Sequence, residues 1–355
     1  KYRDGLDNIL ATFLGRLGKG QQPAAWVSGF YGSGKSHFVR VLDALWRDIE
    51  FPDGARARGL GNLAPNISDS LKELSIAGRR EGGLWSASGT LSSGAGTSVR
   101  LAMLNVIFES AGLPSEYPTG KFVLWLKKEG TFDAVEAAVA ARGRTLDDVL
   151  GDMYVSSVLA DAILEAVPGF ATSRAEAHGL LSAQYPMKTE LTGDEFLSAL
   201  DDVLQLRSNV PGKLPLTLLV FDEMQQFLAG DARRILEVQE IVQDCSSRFE
   251  SRVLFIATGQ AQLAAMPDLQ KLQDRFTISV MLSDTDVEKV VREVVLRKEP
   301  TKVAEVEAAL ERVSGEIGRH LGGSRIAAGA NDKPDLVPDY PLLPTRRRFW
   351  EAVLR

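Results

Sequence analysis

The chain has 355 residues, 45% of them hydrophobic and 25% charged, with a formal net charge of −6. No apolar run approaches the ~20 residues that a membrane-crossing helix needs, and the acidic balance argues against a generally basic, nucleic-acid-coating surface. A single cysteine, Cys245, excludes an intramolecular disulfide and fits a reducing, cytoplasmic setting, and the scattered His37, His178 and His320 offer no metal cluster.

Residues 1–20 read as mixed and amphipathic, without the pattern of a secretory leader. The absence of an initiating Met and the helical look of Phe349–Arg355 point to part of a longer protein. Ala24–Ser28 is a short apolar run that predicts a buried strand. Gly29-Phe30-Tyr31-Gly32-Ser33-Gly34-Lys35-Ser36 then matches G-x-x-x-x-G-K-[ST] at every fixed position. A triphosphate is a dense cluster of negative charge, and holding it requires backbone N–H groups that converge without side chains in the way. Gly29, Gly32 and Gly34 allow that approach around Ser33, Lys35 supplies a point charge, and the Ser36 hydroxyl can ligate Mg²⁺. Phe38, Val39, Val41, Leu42 and Leu45 follow at helical spacing, so a helix begins here and aims its positive end at the phosphates. His37, next to Ser36, is expected to pack under the loop or to belong to the nucleotide cradle.

Residues 52–97 are rich in Gly, Ser and Arg, with a second core strand expected at Leu84–Ala87. From Val99 the pattern turns helical, with helices expected at Lys121–Glu129, Phe132–Ala141, Thr145–Ala166, Arg174–Gln184 and Gly193–Arg207. Thr145 and Thr192 suit N-terminal caps. Between Thr131 and Leu204 acids outnumber bases roughly three to one, so charge is uneven along the chain.

Leu216–Phe221 is a continuous apolar run, as expected of a parallel strand covered on both faces, and Asp222-Glu223 follows at once. Asp222 is the candidate metal ligand opposite Ser36, and Glu223 the candidate general base for an attacking water. Val253–Thr258 predicts the neighbouring strand, whose polar end can sense a γ-phosphate; Thr258 and Gln260 are the two candidates. Leu269–Phe276 leads into a last apolar stretch, Thr277–Leu282. Arg275 is either an arginine finger acting on a neighbouring subunit, an effect of ~10³–10⁵ in rate, or a surface ion pair with an acid such as Asp274. The finger reading requires a homo-oligomer. Beyond Leu282 come helices at Val287–Val295 and Lys302–Leu321, a proline-bearing stretch and a helix from Thr345, the layout of a small helical lid. Arg346, Arg347 and Arg348 are open alternatives for a nucleotide contact or a solvated or nucleic-acid-facing patch, and Arg347 represents the set.

Gly29–Phe38 (GFYGSGKSHF), Val220–Phe227 (VFDEMQQF), Ala257–Leu263 (ATGQAQL), Leu272–Phe276 (LQDRF) and Tyr340–Trp350 (YPLLPTRRRFW) resemble the large P-loop ATPase of BREX bacteriophage-exclusion systems, the BrxC/PglY family. Members are much longer, so the likeness covers an N-terminal ATPase portion. It implies an α/β AAA+/ASCE-like P-loop core of parallel strands, ATP and Mg²⁺ as ligands, and a role in antiviral defence beside a DNA methyltransferase and other BREX proteins. The expected organisation is core residues 1–98 and 211–282, a helical insertion at 99–210 and a lid at 283–355. The residues themselves support an ATP hydrolase that turns the nucleotide cycle into conformational change. A DNA motor or loader of the replication-initiator kind and a nucleotide-switched scaffold with negligible turnover share the same motifs.

Overall fold

A computed structural model describes residues 2–19, 24–30, 32–60, 62–91, 98–260, 262–263, 267–282, 292, 296–322 and 330–346. The chain divides into two compact units, residues 1–282 and 283–355. The first is built on strands β1 (Ala25–Ser28), β2 (Leu84–Thr90), β3 (Leu216–Asp222), β4 (Val253–Gly259) and β5 (Ile278–Met281), in the order β2-β3-β4-β1-β5. Every pairing is parallel. Parallel strands need crossovers that cover both faces, so the central ones are apolar throughout; β3 and β4 are buried along almost their whole length.

Alternation along the strands sorts side chains into two cores. On one face Val27, Leu218, Val220 and Ile256 meet helices α1 (Tyr2–Arg16), α2 (Lys35–Arg47) and α4 (Pro65–Arg80), the last preceded by a single turn, α3 (Ala57–Leu60). On the other, Trp26, Trp85, Phe221 and Phe255 meet α5 (Val99–Ser110), α11 (Gly193–Arg207) and α13 (Ala232–Arg248). Between α5 and α11 run α6 (Tyr117–Lys128), α7 (Phe132–Ala140), α8 (Leu146–Leu150), α9 (Ser157–Ala166) and α10 (Arg174–Gln184). The residues read as an insertion therefore share one continuous core with the sheet.

Two elements differ from expectation. Residues 52–97 hold a sixteen-residue helix, α4, besides the strand. Its buried Ile67, Leu71 and Leu74 keep helical spacing and Pro65 sits at its start, a signal masked by the surrounding glycines and arginines. The single helix expected over Thr145–Ala166 is two, because Ser156 adopts an extended backbone and accepts from Leu159 N to start α9 afresh. Thr145 and Thr192 each form a complete capping box.

In the second unit a helix spans Val303–Leu321, and Arg292 forms ion pairs with Asp335 at 2.9 Å and with buried Asp339 at 2.5 Å. Arg346 is exposed. Arg347, Arg348 and almost all of the helix expected at 287–295 lie outside the described residues. Among the described residues no helix is long and apolar enough to cross a membrane.

Candidate functional site

In a parallel sheet every strand exits on the same edge, and the crossovers leave a crevice there. Gly29 follows β1, Asp222 ends β3, and Thr258 and Gly259 end β4. With β4 between them, β1 and β3 lie two strand spacings apart, about 10 Å. The topology thus brings together a glycine loop and two acids that are far apart in sequence.

The loop is shaped by its glycines. Gly32 and Gly34 have φ of 80° and 88°, a conformation that a side chain resists. A Cβ on Gly29 would lie 2.3 Å from Ser33 Oγ and 3.0 Å from Leu282 O, so backbone and loop touch directly. Ser33 is buried, and among the described residues its hydroxyl has no hydrogen-bond partner. Lys35 Nζ donates to Gly29 O at 2.8 Å and Phe30 O at 3.0 Å, which sets the ammonium across the loop. Burial pulls the Lys35 pKa below its ordinary value, and the charges of Asp222 and Glu223 oppose that shift. Both carboxylates therefore act electrostatically on the loop lysine. Ser36 is exposed in the first turn of α2. His37, expected under the loop, is instead exposed, its ring 6.3 Å from that of Tyr2, because its place on α2 turns it away from the core that Phe38 enters.

Thr258 organises the acidic side. It is fully buried, donates its hydroxyl proton to Asp222 Oδ1 at 2.5 Å, and accepts from Glu223 N at 2.9 Å. A hydroxyl has one proton, and this one is committed to a carboxylate. Thr258 is thus a positioning residue for Asp222 and Glu223 rather than a free sensor. Replacing it with Val keeps the shape but strips Asp222 of a donor. The expected cost is about 1–3 kcal/mol of stability together with a raised Mg²⁺ requirement, read from urea unfolding and a Mg²⁺ titration of activity. Unchanged values on both would deny Thr258 this role.

Glu223 starts helix α12 (Met224–Leu228) with φ 59° and ψ 25°, left-handed values that non-glycine residues rarely hold. The bond from Glu223 N to Thr258 and a 3.1 Å bond to Asp222 Oδ1 hold this conformation and leave the side chain exposed at the crevice. Gln260, the other sensor candidate, is exposed just past β4, and its backbone N donates to Gln225 Oε1 at 2.5 Å.

Gln225 and Gly259 were not foreseen as part of the site. A Cβ on Gly259 would lie 2.4 Å from Trp26 Cζ2 and 2.8 Å from Gln225 Oε1, so only glycine fits between β1 and α12. Such a contact depends on strand order and leaves no local trace in sequence. Gly259→Ala should destabilise by about 1–3 kcal/mol through overpacking, measurable as a lower urea midpoint.

Arg275 lies elsewhere. Its carbonyl accepts from Ala24 N at 2.8 Å, which puts it at the start of β1, roughly 13 Å of strand away from the loop. Its guanidinium donates to Gln243 and, among the described residues, forms no ion pair, so the bridge to Asp274 is not made. Cys245 is buried, and burial raises its pKa well above normal, as suits an inert core thiol.

The donor set suits a magnesium–triphosphate group: a glycine cradle, a helix N-terminus, a lysine, a serine hydroxyl and a buttressed carboxylate. No protein-family model matches the chain, and no solved structure matches it significantly.

Proposed function

We propose that the protein is a P-loop ATPase of the AAA+/ASCE-like type. The observation that carries this reading is the meeting of the Gly29–Ser36 loop with Asp222 and Glu223 on one sheet edge, with both acids acting on Lys35. That the strand carrying Thr258 lies between those of the loop and the acids agrees with the AAA+/ASCE-like core that the resemblance implies. Backbone N–H groups of the loop and Lys35 bind the phosphates, and Ser36 and Asp222 hold Mg²⁺. When bound, the metal neutralises charge on the transferred phosphoryl group. The Glu223 carboxylate takes the proton of the attacking water, and Thr258 keeps the two acids in register. With the Thr258 proton engaged, the exposed Gln260 takes the γ-phosphate contact in this reading.

The expected test result is phosphate release from ATP that requires Mg²⁺ and stops on adding EDTA. A chain that neither binds nor hydrolyses ATP in millimolar Mg²⁺ would contradict the reading. By resemblance, hydrolysis serves a BREX-type defence complex in the cytoplasm, with a DNA methyltransferase among its partners and Arg275 reaching a second copy of the chain.

A further inference from the structure

The starts of the parallel strands line the sheet edge opposite the glycine loop. Segments far apart in sequence are stitched together there. Lys213 Nζ donates to Arg80 O, Asn209 N to Gly82 O at 2.8 Å, Thr217 N to Arg252 O at 2.8 Å, and Ser251 Oγ to Lys19 O. This brings Arg16, Lys19, Arg79, Arg80, Arg207 and Lys213 onto one rim. All six are exposed, and among the described residues none has a carboxylate partner. Many of the acids at this edge are already paired: Glu81 and Glu250 with Arg252, Asp48 and Glu50 with Arg56, while Asp201 sits 3.9 Å from Arg248. A chain of net charge −6 therefore concentrates unpaired cations along one edge.

We infer that this rim binds the phosphate backbone of duplex DNA without reading its sequence. The inference does not depend on the ATPase reading. From β2 to β1 the rim covers three strand spacings, about 14 Å. Over that length a duplex carries about eight phosphates, of which roughly four face one side. Single strands are disfavoured because base stacking needs several exposed rings in a row, and Trp26, Trp85, Phe249 and Phe276, on the strands and turns of this edge, are buried. A protein partner is disfavoured because six exposed cations crowd the rim, whereas the centres of protein interfaces are depleted of charge.

The test is fluorescence anisotropy of a labelled 30-base-pair duplex with the full chain in KCl. Wild-type affinity should fall about a hundredfold between 50 and 200 mM salt, as about four phosphate contacts require. Arg79→Glu/Arg80→Glu/Lys213→Glu should bind at least about a hundredfold more weakly at 50 mM, with a much shallower salt slope. The milder Arg79→Gln/Arg80→Gln/Lys213→Gln should lie between them, with circular dichroism unchanged. Arg312→Glu/Arg319→Glu, an exposed pair in the second unit, should bind like wild type. Wild-type affinity in the rim variants, or equal loss in the Arg312/Arg319 control, would overturn the inference. So would a rim variant that loses self-association in sedimentation while keeping its duplex affinity.

Discussion

Lys35→Ala is expected to abolish measurable ATP binding, raising the dissociation constant on the order of 10²–10³-fold in isothermal titration calorimetry. The magnitude follows from the surroundings of the ammonium. Lys35 Nζ is held by two loop carbonyls, within the field of Asp222 and Glu223. Without it, a polyanionic ligand would enter a crevice facing two carboxylates and no side-chain cation on the loop. Losing one charge-assisted contact and exposing that repulsion costs about 3–4 kcal/mol of binding. The fold should tolerate the change, because Lys35 is half-buried and its partners are local carbonyls that water can satisfy. An unfolding midpoint near wild type would show that the loss is one of binding. Affinity within threefold of wild type would remove Lys35 from the phosphate site.

Glu223→Gln is expected to separate binding from turnover. The amide keeps the size and the backbone bonds of Glu223, so ATP affinity should stay within about threefold of wild type. The amide cannot accept the proton of water as a base, so steady-state phosphate release should fall about 10²–10⁴-fold. Equal turnover in the two proteins would take Glu223 out of the chemistry. The backbone offers a second reading of the same residue. At φ 59° glycine is at ease and alanine is not, so Glu223→Gly should be about 1 kcal/mol more stable than Glu223→Ala in urea, with both inactive. The strain at this position is offset by the hydrogen bonds from Glu223 N to Thr258 Oγ1 and Asp222 Oδ1.

The parts of this site that were legible in sequence are local ones. Gly29–Ser36 carries its geometry in its own glycines and its own lysine. Asp222-Glu223 announces itself by following a continuous apolar run. The strand order is not local: nothing in residues 216–259 states that β4 lies between β1 and β3, and only that placement turns the hydroxyl of Thr258 toward Asp222. The same limit applies to Gly259, whose lack of a side chain matters only once Trp26 and Gln225 close over it. Helix α4 was hidden for another reason, since a good apolar stripe at Ile67, Leu71 and Leu74 sat among residues typical of loops. The cationic rim is the extreme case. Arg16, Arg79 and Lys213 are dispersed in a chain of acidic balance, and they share an edge only because parallel strands all begin on the same side.

The proposed metal–triphosphate site is walled by the glycine loop on one side and by the two acids on the other. Affinity cleavage tests this directly: Fe²⁺ replaces Mg²⁺, ATP is added, and ascorbate with peroxide generates radicals at the metal. ATP-dependent backbone cuts are expected in two places at once, near Ser33–His37 and near Phe221–Met224, with both absent in Lys35→Ala. Cuts confined to one of these segments, or the same pattern without nucleotide, would contradict it.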